Sequence, residues 1–80
     1  MNLYEGKKGD SIRITEVSIE GVMRRRLLDL GFVPGAVVDV LKKSPLGDPI
    51  AFRVSHTTIA LRKEESMKIS GELVEDDEQL

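Results

Sequence analysis

Cysteine is absent from this 80-residue chain. That excludes disulfides, thiolate zinc knuckles and iron–sulfur clusters. Tryptophan is absent too, and Tyr4, Phe32 and Phe52 are the only aromatic residues, so a stacking platform for single-stranded nucleic acid is not expected. No apolar run approaches the roughly 20 residues that span a bilayer, and no signal peptide is visible. The expectation is a cytoplasmic protein with no direct membrane insertion. Catalytic fingerprints are also missing: there is no phosphate-binding glycine loop, no dinucleotide motif and no local Ser, His and Asp set. A non-enzymatic protein is therefore expected.

A chain of this length forms one small domain. It buries only about 60–65% of the surface its unfolded form exposes, which leaves little room for a deep substrate cavity. The formal net charge of −2 averages over an uneven distribution. Residues 71–80, GELVEDDEQL, carry Glu72, Glu75, Asp76, Asp77 and Glu78 and no base. Without those five acids the remainder holds 12 bases against 9 acids, or about +3. That excess is small for a nucleic-acid binder. The division expected is a folded domain over residues 1–70 and a disordered acidic tail over 71–80, where apolar surface is too scarce to offset ordering entropy.

Within the folded part, SIRITEV places Ile12 and Ile14 on one face and Arg13 on the other, the period-2 mark of a half-buried strand. Ser18 is a candidate N-cap for a helix from about Glu20 to Leu30, with Met23, Leu27 and Leu30 as its core stripe. Gly31 suits the left-handed helix stop, and Phe32 packs back near Leu27. Pro34 and Gly35 fit the two central positions of a type II turn. AVVDVLKK follows as a strand with Val38 and Val40 inward. SPLGDP is a loop. IAFRVS puts Ile50, Phe52 and Val54 on one face and Arg53 on the other. HTT connects tightly to IALRK, which contributes Ile59 and Leu61. EES reads as one turn, of 3₁₀ type, and MKIS as a last short strand with Met67 and Ile69 inward. Five short strands with one helix after the first imply a mostly β fold, a small, partly open antiparallel barrel of SH3-like type, with the OB barrel as the other candidate.

The Arg24-Arg25-Arg26 run invites a phosphate-binding reading, but helical residues are about 100° apart. Arg25 then points away from the core and Arg24 and Arg26 flank it, so the three fan out and do not converge on one phosphate. Asp29 stands at i+4 from Arg25 and i+3 from Arg26, where it neutralises part of the charge. Leu28 falls off the core stripe: either Leu3 or Tyr4 covers it, or it is an anchor for a partner. Leu46 tips the PLGDP loop and is either tucked over the barrel end or offered to a partner. A proline-stiffened loop loses little entropy on binding, which suits an interaction module. The candidate contact surface is Arg24, Arg25 and Leu28 with Leu46, Gly47 and Asp48. His56, the only histidine, is read as a turn residue of unusual φ. Together with Asp48 it is also the weak candidate for a transition-metal site.

Four segments together resemble one family. They are the run Arg24–Leu28, LGFVPG at 30–35, PLGDP at 45–49 and IALRKEE at 59–65. In that order and spacing they are similar to the FeoA family, over about residues 5–70. The resemblance implies a small cytoplasmic SH3-like protein of the bacterial ferrous iron transport system. It also implies a partner, the FeoB membrane permease with its cytoplasmic GTP-binding domain. Transition-metal binding is a further implication. No resident cofactor is expected beyond weak binding of Fe²⁺ or another divalent transition metal; an Fe²⁺-sensing domain is the alternative function, and a nucleic-acid-binding barrel ranks below it. Similar modules occur in metal-dependent repressors of the DtxR type. The sequence departs from the family at Ser55–His56, where a glycine is common in the tight turn.

Overall fold

The computed structural model describes residues 1–75. A single 3₁₀ turn, Leu3–Glu5, opens the chain and is capped by Asn2, whose side chain accepts from the Glu5 N–H while the Glu5 carboxylate accepts from the Asn2 N–H. Then follow β1 (Ser11–Val17), α1 (Val22–Leu30), β2 (Val37–Lys43), β3 (Ile50–Val54), β4 (Thr57–Leu61), a one-turn helix α2 (Lys63–Ser66) and β5 (Ile69–Leu73). The five strands form one antiparallel sheet in the order β4-β3-β2-β1-β5. The fold is SH3-like, with a sheet that curls without closing. Register shifts between Ile14 and Glu16 on β1 and between Val40 and Lys42 on β2 supply the bend, because a bulge locally increases twist.

The core follows the alternation expected. Ile12, Ile14, Val38, Val40, Ile50, Phe52, Val54, Leu61 and Ile69 are all buried, together with Leu3, Leu27 and Phe32. The corner after α1 is built as its residues suggest. Gly31 has φ 110, its N–H donates to Leu28 O at 3.1 Å, and the Phe32 N–H donates to Leu27 O at 2.9 Å. This pair of bonds is a Schellman stop, and the Phe32–Leu27 contact that accompanies it lies in the core. In the next turn Gly35 has φ 94 and the Ala36 N–H donates to Val33 O at 3.0 Å, so Pro34 and Gly35 take the central positions of a type II turn.

Several local expectations are corrected. Ser18 does not cap α1: its N–H donates to Lys68 O at 2.7 Å and is used to close the end of β1. The helix starts at Val22, after Gly21 at φ 76. Met67 is 47% exposed, because its N–H still donates to Lys63 O as the end of α2. Helical phase thus turns Met67 outward and buries Ser66 instead, whose Oγ donates to Lys63 O. α2 itself is α-helical where a 3₁₀ turn was expected. β5 runs through Leu73, so residues 71–73, assigned by composition to the tail, are part of the sheet. The backbone ladder to β1 is indifferent to the acidic side chain of Glu72, which points to solvent. Val74 is also held, its N–H donating to Ser11 O at 2.8 Å, and the expected disordered tail from residue 76 on lies outside the described residues. No helix among the described residues is long and apolar enough to cross a membrane.

Candidate functional site

The PLGDP loop is held rigidly at its base and bare at its tip. The Gly47 N–H donates to Ser44 O at 2.7 Å and the Ser44 N–H donates to Pro49 O at 3.1 Å. The Asp48 carboxylate accepts from the Lys63 N–H at 3.0 Å, so it satisfies one of the free donors at the start of α2. The Asp48–Pro49 peptide is cis. Beneath the loop lies Tyr4. Its ring has Lys43 Nζ 4.9 Å from the centroid and Lys63 Nζ 5.2 Å away, a pair of cation–π contacts. Lys43 Nζ also donates to Tyr4 O at 2.9 Å. A Cβ on Gly47 would stand 3.0 Å from the Tyr4 hydroxyl. The loop therefore rests on a platform joining the first turn of the chain, β2 and α2. Leu46, at its tip, is 93% exposed, which excludes the position tucked over the barrel end.

The helix residues behave differently. Arg24 donates a guanidinium hydrogen bond to Val17 O, which ties α1 to the end of β1. Arg25 is exposed. Leu28 is half-buried and packs against the core, so it is not a free anchor. Met23 and Leu30 are also only half-buried, whereas Leu27 is fully buried. The expected core stripe therefore opens at both ends onto a groove of about 340 Å³ between α1, β4 and α2, with Arg26 and Arg62 on its rim.

Leu46, Gly47 and Asp48 come together with Tyr4, Lys43 and Lys63, while Arg24, Arg25 and Leu28 form a separate region on α1. Asp48 bonds Lys63, next to the groove residue Arg62, so α2 links the loop to the groove. The Tyr4 platform went unread in the sequence, because its partners are 39 and more residues away. Its one available signal was the lone aromatic residue of the N-terminal segment, next to the apolar Leu3.

His56 occupies the β3–β4 turn with φ 66, next to Ser55 at φ 51. The unusual φ expected of it is present. Two consecutive left-handed residues are what a type I′ hairpin requires, so the turn has its geometry without a glycine at either central position. His56 and Asp48 flank opposite ends of the five-residue β3. At about 3.3 Å per residue the two are on the order of 13 Å apart or more and do not ligate one ion. Among the described residues no group of three or more His, Cys, Asp or Glu side chains is arranged to hold a metal.

A model of the FeoA domain matches residues 1–73. The chain belongs to the FeoA family. Among solved relatives, the FeoA protein of Chlorobium tepidum is 40% identical, with TM-score 0.89, over 96% of this chain and 73% of that one. The zinc complex of Stenotrophomonas maltophilia FeoA, described as a prokaryotic SH3 domain protein, is 32% identical with TM-score 0.80 over 90% and 89% of the two chains. A third relative is the Fe(2+) transport protein A/Fe(2+) transporter FeoB fusion protein of Porphyromonas gingivalis, 39% identical over 74 residues. The match takes in 92% of this chain and 9% of the fusion protein's length.

Proposed function

We propose that this FeoA-family chain is a non-enzymatic accessory protein of ferrous iron transport that docks on the cytoplasmic side of a FeoB-type transporter. The observation that carries this reading is the Porphyromonas gingivalis relative, in which the matching segment and a FeoB transporter are one polypeptide. Fusion makes sense where two domains work in contact, since a covalent link raises their effective concentration. The contact we assign to this chain is the PLGDP loop, with Leu46 as anchor and Gly47 and Asp48 holding it in shape. An apolar tip on a rigid base gains burial on docking and loses little conformational freedom. Arg25, exposed on α1, offers a second and separate contact, while Arg24 and Leu28 tie that helix to the end of β1 and to the core.

Binding of the purified chain to the cytoplasmic portion of the FeoB-type transporter from the same genome tests this. Leu46→Asp is expected to weaken binding by at least about tenfold, or 1.4 kcal/mol. Unchanged affinity removes the loop from the interface. Absence of binding by the unaltered chain removes the transporter reading altogether.

A further inference from the structure

The two edges of the sheet are finished differently. Outside β5 lies the N-terminal segment: Asn2 forms a bridge with Ser70, and the Gly71 N–H donates to Met1 O at 2.7 Å. β4 has no equivalent cover. Beyond its ladder with β3, no backbone–backbone hydrogen bond reaches Thr57–Leu61 among the described residues.

The phase of the hairpin shows which groups are left free. With a two-residue turn at Ser55–His56, Val54 and Thr57 form a hydrogen-bonded pair, and so do the pairs Phe52–Ile59 and Ile50–Leu61. Thr58 and Ala60, opposite Arg53 and Ala51, turn their N–H and C=O groups away from β3. Four backbone groups thus line the bare edge. Edges of this kind are usually blunted by a charge, a proline or a bulge. Thr-Thr-Ile-Ala-Leu has no charge and no proline, and its register with β3 is unbroken.

Along this edge runs the groove described above. Met23 and Leu30 form its helical wall, Ile59 and Leu61 its strand side, and Arg26 and Arg62 its rim. The one acid in the lining is Glu65, whose carboxylate is turned to the Arg62 N–H at 2.8 Å. Two arginines against one carboxylate leave the rim with a net charge of about +1.

We propose that β4 receives an extended, acidic segment of a partner protein as an added strand. Its backbone pairs with Thr58 and Ala60. Its alternate side chains are apolar and enter the groove against Met23 and Leu30, while Asp or Glu residues flanking them face Arg26 and Arg62. In such strand addition the main chain supplies affinity, and pockets for alternate side chains supply selectivity. This site is separate from the Leu46 loop and does not depend on which protein supplies the strand.

A random peptide library displayed on phage, panned on the full chain and in parallel on Ala60→Pro, tests the proposal. Proline at 60 deletes an outward N–H and leaves the ladder to β3 intact. Enrichment on the unaltered chain of peptides that alternate apolar residues with Asp or Glu is the expected result. Synthetic versions should bind Ala60→Pro at least about tenfold more weakly and lose affinity as salt rises. If Ala60→Pro does not fold, Met23→Glu blocks the groove wall and is expected to give the same loss. No enrichment, enrichment of basic or non-alternating peptides, or equal binding to both folded proteins overturns the proposal. A dimer of the chain alone that Ala60→Pro disrupts would make a second copy the occupant and overturn the assignment to a partner.

Discussion

The backbone N–H of Lys63 donates to the Asp48 carboxylate at 3.0 Å across 15 residues of chain. This bond joins the PLGDP loop to α2, and α2 in turn borders the groove beside β4. One carboxylate thus fixes the shape of the loop and the start of the helix. Asp48→Ala should lower stability by about 0.5–1 kcal/mol, the usual cost of removing a side-chain acceptor from a helix start. It should also weaken transporter binding, with Leu46 still in place. Urea unfolding and a binding titration on the same variant check both.

Leu46 is the opposite case. Its side chain is almost fully exposed, so truncation removes little from the folded state. Leu46→Ala should change unfolding stability by no more than about 0.5 kcal/mol, yet weaken binding to the transporter's cytoplasmic portion. A loss of stability comparable to the loss of binding would make the residue structural.

Gly71 marks where β5 presses against β1. A Cβ there would lie 2.5 Å from Arg13 O and 2.6 Å from Ile12 Cγ2. Backbone atoms cannot swing aside as a flexible side chain does, so Gly71→Ala should cost about 2 kcal/mol or more. Gly9 is a control: it has φ +95 but nothing within 4 Å of an added Cβ. Gly9→Ala should cost only about 1 kcal/mol of backbone strain. Thermal melts of the two variants should rank them in that order.

His56 sits at φ 66 in the second position of its hairpin turn, where glycine is favoured. His56→Gly should raise stability by about 0.5–1 kcal/mol, for a gain of about 4–8 °C at the upper figure in a chain this small. Differential scanning calorimetry reads the shift directly. Transporter binding should not change. A fall in melting temperature would mean that the imidazole makes a contact which outweighs the strain.

The strands and the helix stop were legible in the sequence because each rests on local chemistry. Ile12/Ile14 and Ile50/Phe52/Val54 alternate with period 2, and the glycines at 31 and 35 stand where positive φ is required. What escaped was settled by partners distant in sequence. Ser18 has the chemistry of a cap, but its bond to Lys68 keeps it at the end of β1, and the cap position falls to Gly21. Met67 follows the phase of α2 and not that of β5. The last residues of β5 look like tail, because a sheet edge needs only its backbone to pair. At the candidate site, the sequence left Leu46 open between two positions, of which its exposure excludes one, but the loop itself was readable from two prolines and a glycine. The groove was not, since it exists only where α1 meets the free side of β4.

The most direct test of the central claim is an isothermal titration of the purified chain into the cytoplasmic portion of the FeoB-type transporter from the same genome. The account predicts saturable one-to-one binding that weakens by at least about tenfold with Leu46→Asp. Saturable binding that Leu46→Asp leaves unchanged, or no heat of binding from the unaltered chain, would contradict it.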